Sequence, residues 1–410
     1  MASTQEKTND RFSNAKFSGV KILHLIPYMH PDAGGPPVVV DRFCRELKSR
    51  GHSASVITTD ALCPTDDSDW TKPFEQRYEF TVLPSLRRNV FGYSRQLKPL
   101  LEARVDEFDL VHVHNLWSYM NIAVSRVCHK QNVPFVVSTH GMLDPNSLSR
   151  KSSKKKLYGR LIEFPRLRRA SGMIYTHKEE QALANSSCSG LPAGYVVPLG
   201  ADEPPSEGIT EAKAELLKKY PVFKDKKLVL FFGRLHPKKG LDLLIPAMKV
   251  LSQKLPAVHL VLAGPIDDGY QIKIDRMIKE NQLEEQITFT GPVYETQKWA
   301  MLSLADLFVL PSYQENFAIT VVEALRVGLP VVLSEHVNIW QDIVSANAGL
   351  KCLLDPVDIA NTLEKVLNNE MLHRKLSANG PALVEREFTW QVAGEKLLES
   401  YQQVLALNPE

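Results

Sequence analysis

No apolar run in these 410 residues approaches the roughly 18–20 that a membrane-spanning helix requires. Cysteine is scarce, with Cys44, Cys63, Cys128, Cys188 and Cys352 scattered, odd in number and without metal-ligand spacing. That excludes a disulfide framework or a cysteine-based metal cluster, and is read as the reduced thiols of a cytoplasmic protein. Net charge is nearly absent: 49 Lys and Arg against 47 Asp and Glu leave +2, which gives no global case for nucleic acid. There is no G-x-G-x-x-G fingerprint, so a classical dinucleotide site is unsupported. Met1 to Phe17 is polar and has no apolar core of the kind a signal peptide carries. It is expected to be a disordered lead-in.

What is present is an ordinary globular composition, 44% hydrophobic and 23% charged. Single cores seldom grow past roughly 250–300 residues, so this length predicts two domains. The expected boundaries are 1–18 for the lead-in, 19–200 for a first domain and 201–388 for a second. A terminal helix over 389–406 is expected to return to the first domain. Both read as alternating buried strands and amphipathic helices, an α/β class with parallel sheets covered on both faces. Strands are read at Val20–Ile26, Ser55–Thr59, Phe108–His114, Pro134–Ser138, Ser171–Thr176 and Tyr195–Leu199, then at Leu228–Phe232, Val258–Ala263, Ile287–Thr290, Leu307–Leu310 and Pro330–Leu333.

Chemistry-bearing residues cluster just past the strand ends, where α/β proteins hold ligands. After the first strand comes Gly34-Gly35-Pro36-Pro37 and a helix; paired glycines allow close approach of a backbone to a ligand. Thr139-His140-Gly141 follows Pro134–Ser138, and His140 reads as functional. His24, His112 and His259 lie inside strands and read as core histidines, while His114 ends one and is a weaker acceptor-side candidate. Gly233-Arg234 with Lys238-Lys239 follows Leu228–Phe232, a plausible pyrophosphate clamp: arginine offers a fork of donors and lysine a mobile point charge. Gly264 and the loop Gly291–Tyr294, with Val293, end the next two strands. In Leu310–Ser334, Glu315 falls in the turn after a strand and Glu323 follows with seven residues between them. On a helix beginning near Phe317, both carboxylates address one ligand over a helix N-terminus whose free amides favour phosphate.

From Asn146 to Gly172 nine basic residues face a single acid, Glu163, giving a local +8. Leu157, Tyr158, Leu161, Ile162 and Phe164 interleave with them. Arg150 to Arg169 therefore reads as a basic amphipathic surface suited to anionic lipid headgroups, with a plain solvated helix as the alternative. Nucleic acid is not expected, since no recognised binding motif accompanies the stretch.

Gly34-Gly35, Thr139-His140-Gly141, Gly233-Arg234 with Lys239, Gly264, Pro311-Ser312, and Glu315 with Glu323 are weak signals singly and specific in this order. Over Val20 to Leu405 the chain resembles the retaining, nucleotide-sugar-dependent glycosyltransferases of GT-B fold, family 4 (glycosyl transferase group 1). The resemblance implies two Rossmann-like domains facing a cleft and a GDP- or UDP-sugar donor held mainly by the second. It implies that Arg234 and Lys239 meet the pyrophosphate, Glu323 the ribose, and Glu315 the transferred sugar. Amides around Asn316, Phe317, Ala318 and Ile319 complete the pocket, with Gly264 and Val293 nearby. Gly34 and Gly35 approach phosphate and sugar, and His140 the sugar near the acceptor. Many relatives have glycine where this chain has Asn316 and Ala318.

The implied activity is sugar transfer to a glycan or lipid-linked oligosaccharide in polysaccharide biosynthesis. The nucleotide-sugar is a substrate, and neither cofactor nor metal is expected, the sequence being read as having neither an Asp-x-Asp nor a histidine cluster. A cytoplasmic protein, peripheral at the inner face of a membrane, follows from that reading. A phosphorylase or epimerase on the same scaffold, or a non-catalytic sugar-nucleotide-binding protein, are the alternatives.

Overall fold

The computed structural model describes residues 19–30, 33–63, 69–87, 89–149, 157–267 and 269–407. The expected lead-in, 1–18, and the basic residues Arg150, Lys151, Lys154, Lys155 and Lys156 lie outside them. The chain divides into two compact units, one of Met1–Pro198 with Trp390–Glu410, the other Leu199–Thr389.

The first unit is built on seven strands: β1 (Lys21–Leu25), β2 (Ser53–Thr59), β3 (Glu79–Leu83), β4 (Leu110–His114), β5 (Phe135–Ser138), β6 (Gly172–Tyr175) and β7 (Gly194–Val196). Their order is β3-β2-β1-β4-β5-β6-β7, and every recorded pairing is parallel. All five residues of β4 are buried, as a strand covered on both faces requires. The order reverses between β1 and β4, and such a switch point leaves a crevice at the strands' carboxyl ends. The helix Gly35–Ser49 leaves from β1 there, carrying Pro36 and Pro37 in its first turn. Gly34 precedes it at φ 102°, a conformation that favours glycine. The helix Trp390–Leu407 belongs to this unit, with Trp390 edge-on to Phe43 and the Tyr401 hydroxyl 2.6 Å from His112.

The second unit holds β8 (Lys227–Phe232), β9 (Val258–Ala263), β10 (Ile287–Gly291), β11 (Leu307–Leu310), β12 (Val331–Ser334) and β13 (Gly349–Cys352). The order is β10-β9-β8-β11-β12-β13, again parallel throughout, with its switch point between β8 and β11. Two glycines pack these turns together. A Cβ on Gly240 would lie 2.0 Å from the Pro311 carbonyl oxygen, and one on Gly264 would lie 2.1 Å from that of Gly233. Only glycine lets these backbones meet.

Several sequence expectations are corrected. The strands β3 and β13 were not foreseen, and β7 ends at Val196 rather than reaching Leu199. The helix carrying Glu323 begins at Ile319, not near Phe317, because Ala318 takes the N-cap position at φ 61°, ψ 70°. A left-handed alanine costs roughly 1–2 kcal/mol. The turn before it must therefore be held by its surroundings.

Candidate functional site

In the second unit the loops after β8 and β11 bring together residues far apart in sequence. Lys239, in the short 3₁₀ turn Pro237–Lys239, ion-pairs with Glu315, the two side chains being 15% and 14% exposed. Burial alone would raise the Glu315 carboxyl. Lys239, with help from Lys238 and the Asn316 amide, outweighs it and holds the carboxyl below its ordinary range. The turn is pinned from β12's far end: Glu315 N–H donates to the His336 carbonyl (2.9 Å) and Asn338 N–H to the Glu315 carbonyl (3.1 Å). The Asn338 side-chain amide reaches the Asn316 side-chain oxygen at 3.3 Å.

Glu323 stands on the helix Ile319–Arg326, one turn beyond its start, and is almost buried. Its partner is Lys298 on the helix Glu295–Leu304, whose ammonium donates to Oε1 at 2.5 Å. Burial pushes the Glu323 carboxyl up, Lys298 opposes that, and Asp202 adds to it. Sequence reading missed Lys298, which follows the polar run Glu295-Thr296-Gln297 and belongs to no motif.

The other expected donor residues take varied places. Arg234 is 52% exposed and lies 3.7 Å from Asp267, so its side chain is about half in solvent and only loosely paired. Gly264 N–H donates to the Gly291 carbonyl at 2.9 Å, tying two of the loops together. Val293 is buried in the loop after β10. The Phe317 side chain is buried edge-on against Phe388, centroids 5.6 Å apart, so only its backbone is offered to a ligand. Ala318 and Ile319 are half-buried at the helix start.

In the first unit, His140 follows β5 with φ 47°. Its loop is held by Glu180, a residue sequence reading passed over. One Glu180 oxygen accepts from the Thr139 hydroxyl and the Gly141 N–H, both at 2.6 Å. The other accepts from the N–H and hydroxyl of Thr176, at 2.7 and 2.8 Å. A Cβ on Gly35 would meet nothing within 4 Å, so the space beside it is open.

The strand histidines are not independent. His24 Nδ1 and His114 Nε2 share a hydrogen bond at 3.0 Å, and His114 Nδ1 and His140 Nε2 share one at 3.2 Å. His112 is bonded on both nitrogens, to the Tyr401 hydroxyl and to Ser138 Oγ. Burial lowers all four, His24 to about 3 and His140 to about 4, so the chain of rings is neutral. Two expectations are corrected here. His24 is a core histidine only half satisfied, since its Nε2 has no partner. And a histidine cluster does exist: His24, His112 and His114 offer ligand atoms within 4.8 Å of one another. Register hides it in the sequence, since His24 and His112 are cross-strand partners in β1 and β4. These hydrogen bonds take both ring nitrogens of His112 and of His114, so a cation held by either would have to break one. An Asp-x-Asp triplet, Asp67-Ser68-Asp69, is also present, its first two residues outside the described part.

Of the basic stretch, the described part is helical from Leu157, with a π-turn over Gly159–Glu163. Leu157 and Leu161 are exposed beside exposed Arg160. Glu163 is instead wholly buried, accepts from the Trp117 N–H at 3.1 Å, and is pushed by burial to about 7. Among the described residues no helix is long and apolar enough to cross a membrane.

Two doubly wound parallel sheets with residues gathered at their switch points define a GT-B fold. The Anabaena protein HepE, solved with UDP and glucose, has that fold. It aligns with a TM-score of 0.72 at 20% identity, over 93% of this chain and 99% of that one. The first unit matches the family described as Glycosyltransferase Family 4 over residues 33–203. The second matches Glycosyl transferases group 1 over residues 212–383. The chain belongs to this family of glycosyltransferases. Mannosylfructose-phosphate synthase of Agrobacterium fabrum is 30% identical over 211 residues, 50% of this chain. That match spans only 46% of the relative's own length. Phosphatidyl-myo-inositol mannosyltransferase of Mycobacterium tuberculosis is 25% identical over 406 residues, 94% of this chain and 97% of that protein.

Proposed function

We propose that this protein is a retaining glycosyltransferase that moves a sugar from a nucleoside diphosphate-sugar to a glycan or lipid-linked acceptor. The observation that carries the reading is the paired arrangement Lys239–Glu315 and Lys298–Glu323 around the β8–β11 switch point of the second unit. Two carboxylates kept beside two ammonium groups suit a ligand that is both polyhydroxylated and anionic. Lys239 and Arg234 meet the diphosphate, Glu323 the ribose, and Glu315 the transferred sugar. In the first unit, Gly34, Gly35 and His140 are the residues assigned to ligand and acceptor.

Breaking the anomeric carbon–oxygen bond leaves the electron pair on the diphosphate and an oxocarbenium-like centre on the sugar. The cations strengthen their hold as that negative charge grows, which lowers the barrier rather than merely tightening binding. The acceptor oxygen bonds to the same carbon from the face the diphosphate leaves, and its proton passes to a diphosphate oxygen. Configuration is thereby retained. Glu315 lies beside Lys239 and stabilises the cationic sugar. A nucleotide-sugar panel tests the reading: nucleoside diphosphate should be released, and inorganic phosphate should not accelerate its loss. Acceleration by phosphate would instead favour a phosphorylase.

The acceptor side rests on a separate observation, the exposed Leu157 and Leu161 beside Arg160 and the sequence-adjacent Lys154, Lys155 and Lys156. The resemblance to a phosphatidyl-inositol mannosyltransferase supports a lipid-borne acceptor met at an anionic cytoplasmic surface. Each basic residue contributes roughly 1 kcal/mol near such a surface, screened by salt. Replacing Lys154, Lys155, Lys156 and Arg160 by serine should release the protein from phosphatidylserine vesicles in a flotation assay while leaving nucleotide binding unchanged. Wild-type protein that ignores such vesicles at low salt would refute the membrane reading.

A further inference from the structure

We propose that Lys298 is a positioning residue for the donor: it holds Glu323 ionised and aimed so that the ribose hydroxyls meet a carboxylate rather than a carboxylic acid. The inference rests on the assignment of Glu323 to the ribose. Geometry supports it from both sides of the pair. The Lys298 ammonium is 2.5 Å from Glu323 Oε1 and lies 4.7 Å from the centroid of the buried Trp299 ring, so it is fixed between a carboxylate and an aromatic face. The two side chains are only 17% and 8% exposed, so little water competes for either charge. The hydrogen bond from Lys298 is made to Oε1.

The charged groups facing Glu323 are few. Lys298 comes from the helix Glu295–Leu304 and Asp202 from the segment after β7. Without Lys298, burial and Asp202 both act in the same direction, toward the protonated acid. A protonated carboxyl loses the charge that makes its hydrogen bonds to hydroxyls about twice as strong as neutral ones. Lys298 therefore acts on the ribose through Glu323.

The test titrates UDP and GDP into the full-length protein and its variants across the pH range over which each stays folded. Lys298→Met should weaken binding of the preferred nucleotide about tenfold at the low end, equivalent to ~1.4 kcal/mol. Most of that loss should return as rising pH deprotonates Glu323. Lys298→Arg should bind as wild type, because it restores the cation. Adding Lys298→Met to Glu323→Gln should cost nothing further, since there is no carboxylate left to ionise. Circular dichroism of each variant, with Lys298→Gln as a second neutral replacement, guards against misfolding. A loss in Lys298→Met that is independent of pH and persists beside Glu323→Gln would show Lys298 touching the nucleotide directly and overturn the proposal. Wild-type binding by Lys298→Met, with Glu323→Gln weakened, would overturn it alone. Unchanged binding by Glu323→Gln would overturn the ribose assignment and the proposal with it.

Discussion

Replacing Lys239 by alanine is expected to lower turnover by about 100- to 1000-fold, the range seen when one preorganised donor to a developing negative charge is removed. The structure adds a second consequence. Lys239 is the partner of Glu315, and both side chains are mostly buried, so the variant leaves a carboxylate short of its counter-charge. Breaking a fully buried pair costs about 3–5 kcal/mol, and the residual exposure of this one makes that an upper bound. Thermal unfolding should therefore show a lowered Tm for Lys239→Ala, and adding Glu315→Gln should recover Tm without recovering turnover. Arg234→Ala differs in kind. Its guanidinium is half exposed and only loosely paired with Asp267, so turnover should fall with Tm unchanged. Wild-type turnover in either variant would remove that residue from the site.

The pH dependence follows the same pair. Glu315 is held below the ordinary carboxylate range in the folded protein, so it binds its proton more readily when unfolded. Its stabilising contribution is complete above the unfolded carboxyl pKa and is lost as pH falls through the folded one. Glu323 has the opposite sign. Its folded carboxyl is raised, so ionising it as pH rises through the folded value removes stability. A group that weakens the fold when ionised, yet sits among ligand-facing loops, fits a residue kept for binding.

The second large effect is expected at Glu323 itself. A carboxylate–hydroxyl hydrogen bond contributes roughly 1.5–3 kcal/mol, so Glu323→Ala should weaken the nucleoside diphosphate by about 10- to 150-fold. Titration calorimetry measures this directly, and in kinetics the donor KM should rise more than kcat falls. Unchanged affinity would sink the ribose assignment.

How much of this was legible in the sequence depends on how local each signal is. Strands buried on both faces, such as Leu307–Leu310, announce themselves as continuous apolar runs. β3 does not, because it is an edge strand with Glu79 outward and only Leu83 buried, and an alternating, half-exposed segment resembles a loop. Glu315 and Glu323 were readable because one turn and one helix carry both. Lys298 and Glu180 were not, because each acts across a helix–helix or helix–loop contact that no local pattern encodes. The histidine cluster was hidden in the same way: His24 and His112 meet through strand register, 88 residues apart in the chain. The helix start was misread by two residues because an alanine in the left-handed region is a choice that propensity argues against.

The central claim is that the second unit's lysine–glutamate pairs serve sugar transfer with retention. Nuclear magnetic resonance of the anomeric proton during turnover of UDP- and GDP-sugars tests it most directly, with the released nucleotide identified in parallel. From an α-linked donor, the predicted result is release of nucleoside diphosphate and first appearance of α-configured sugar, both abolished by Lys239→Ala with Glu315→Gln. First appearance of the β anomer would contradict retention, and a panel in which no nucleotide-sugar is turned over by the wild-type protein, with water or any glycan or lipid-linked acceptor supplied, would contradict the transferase itself.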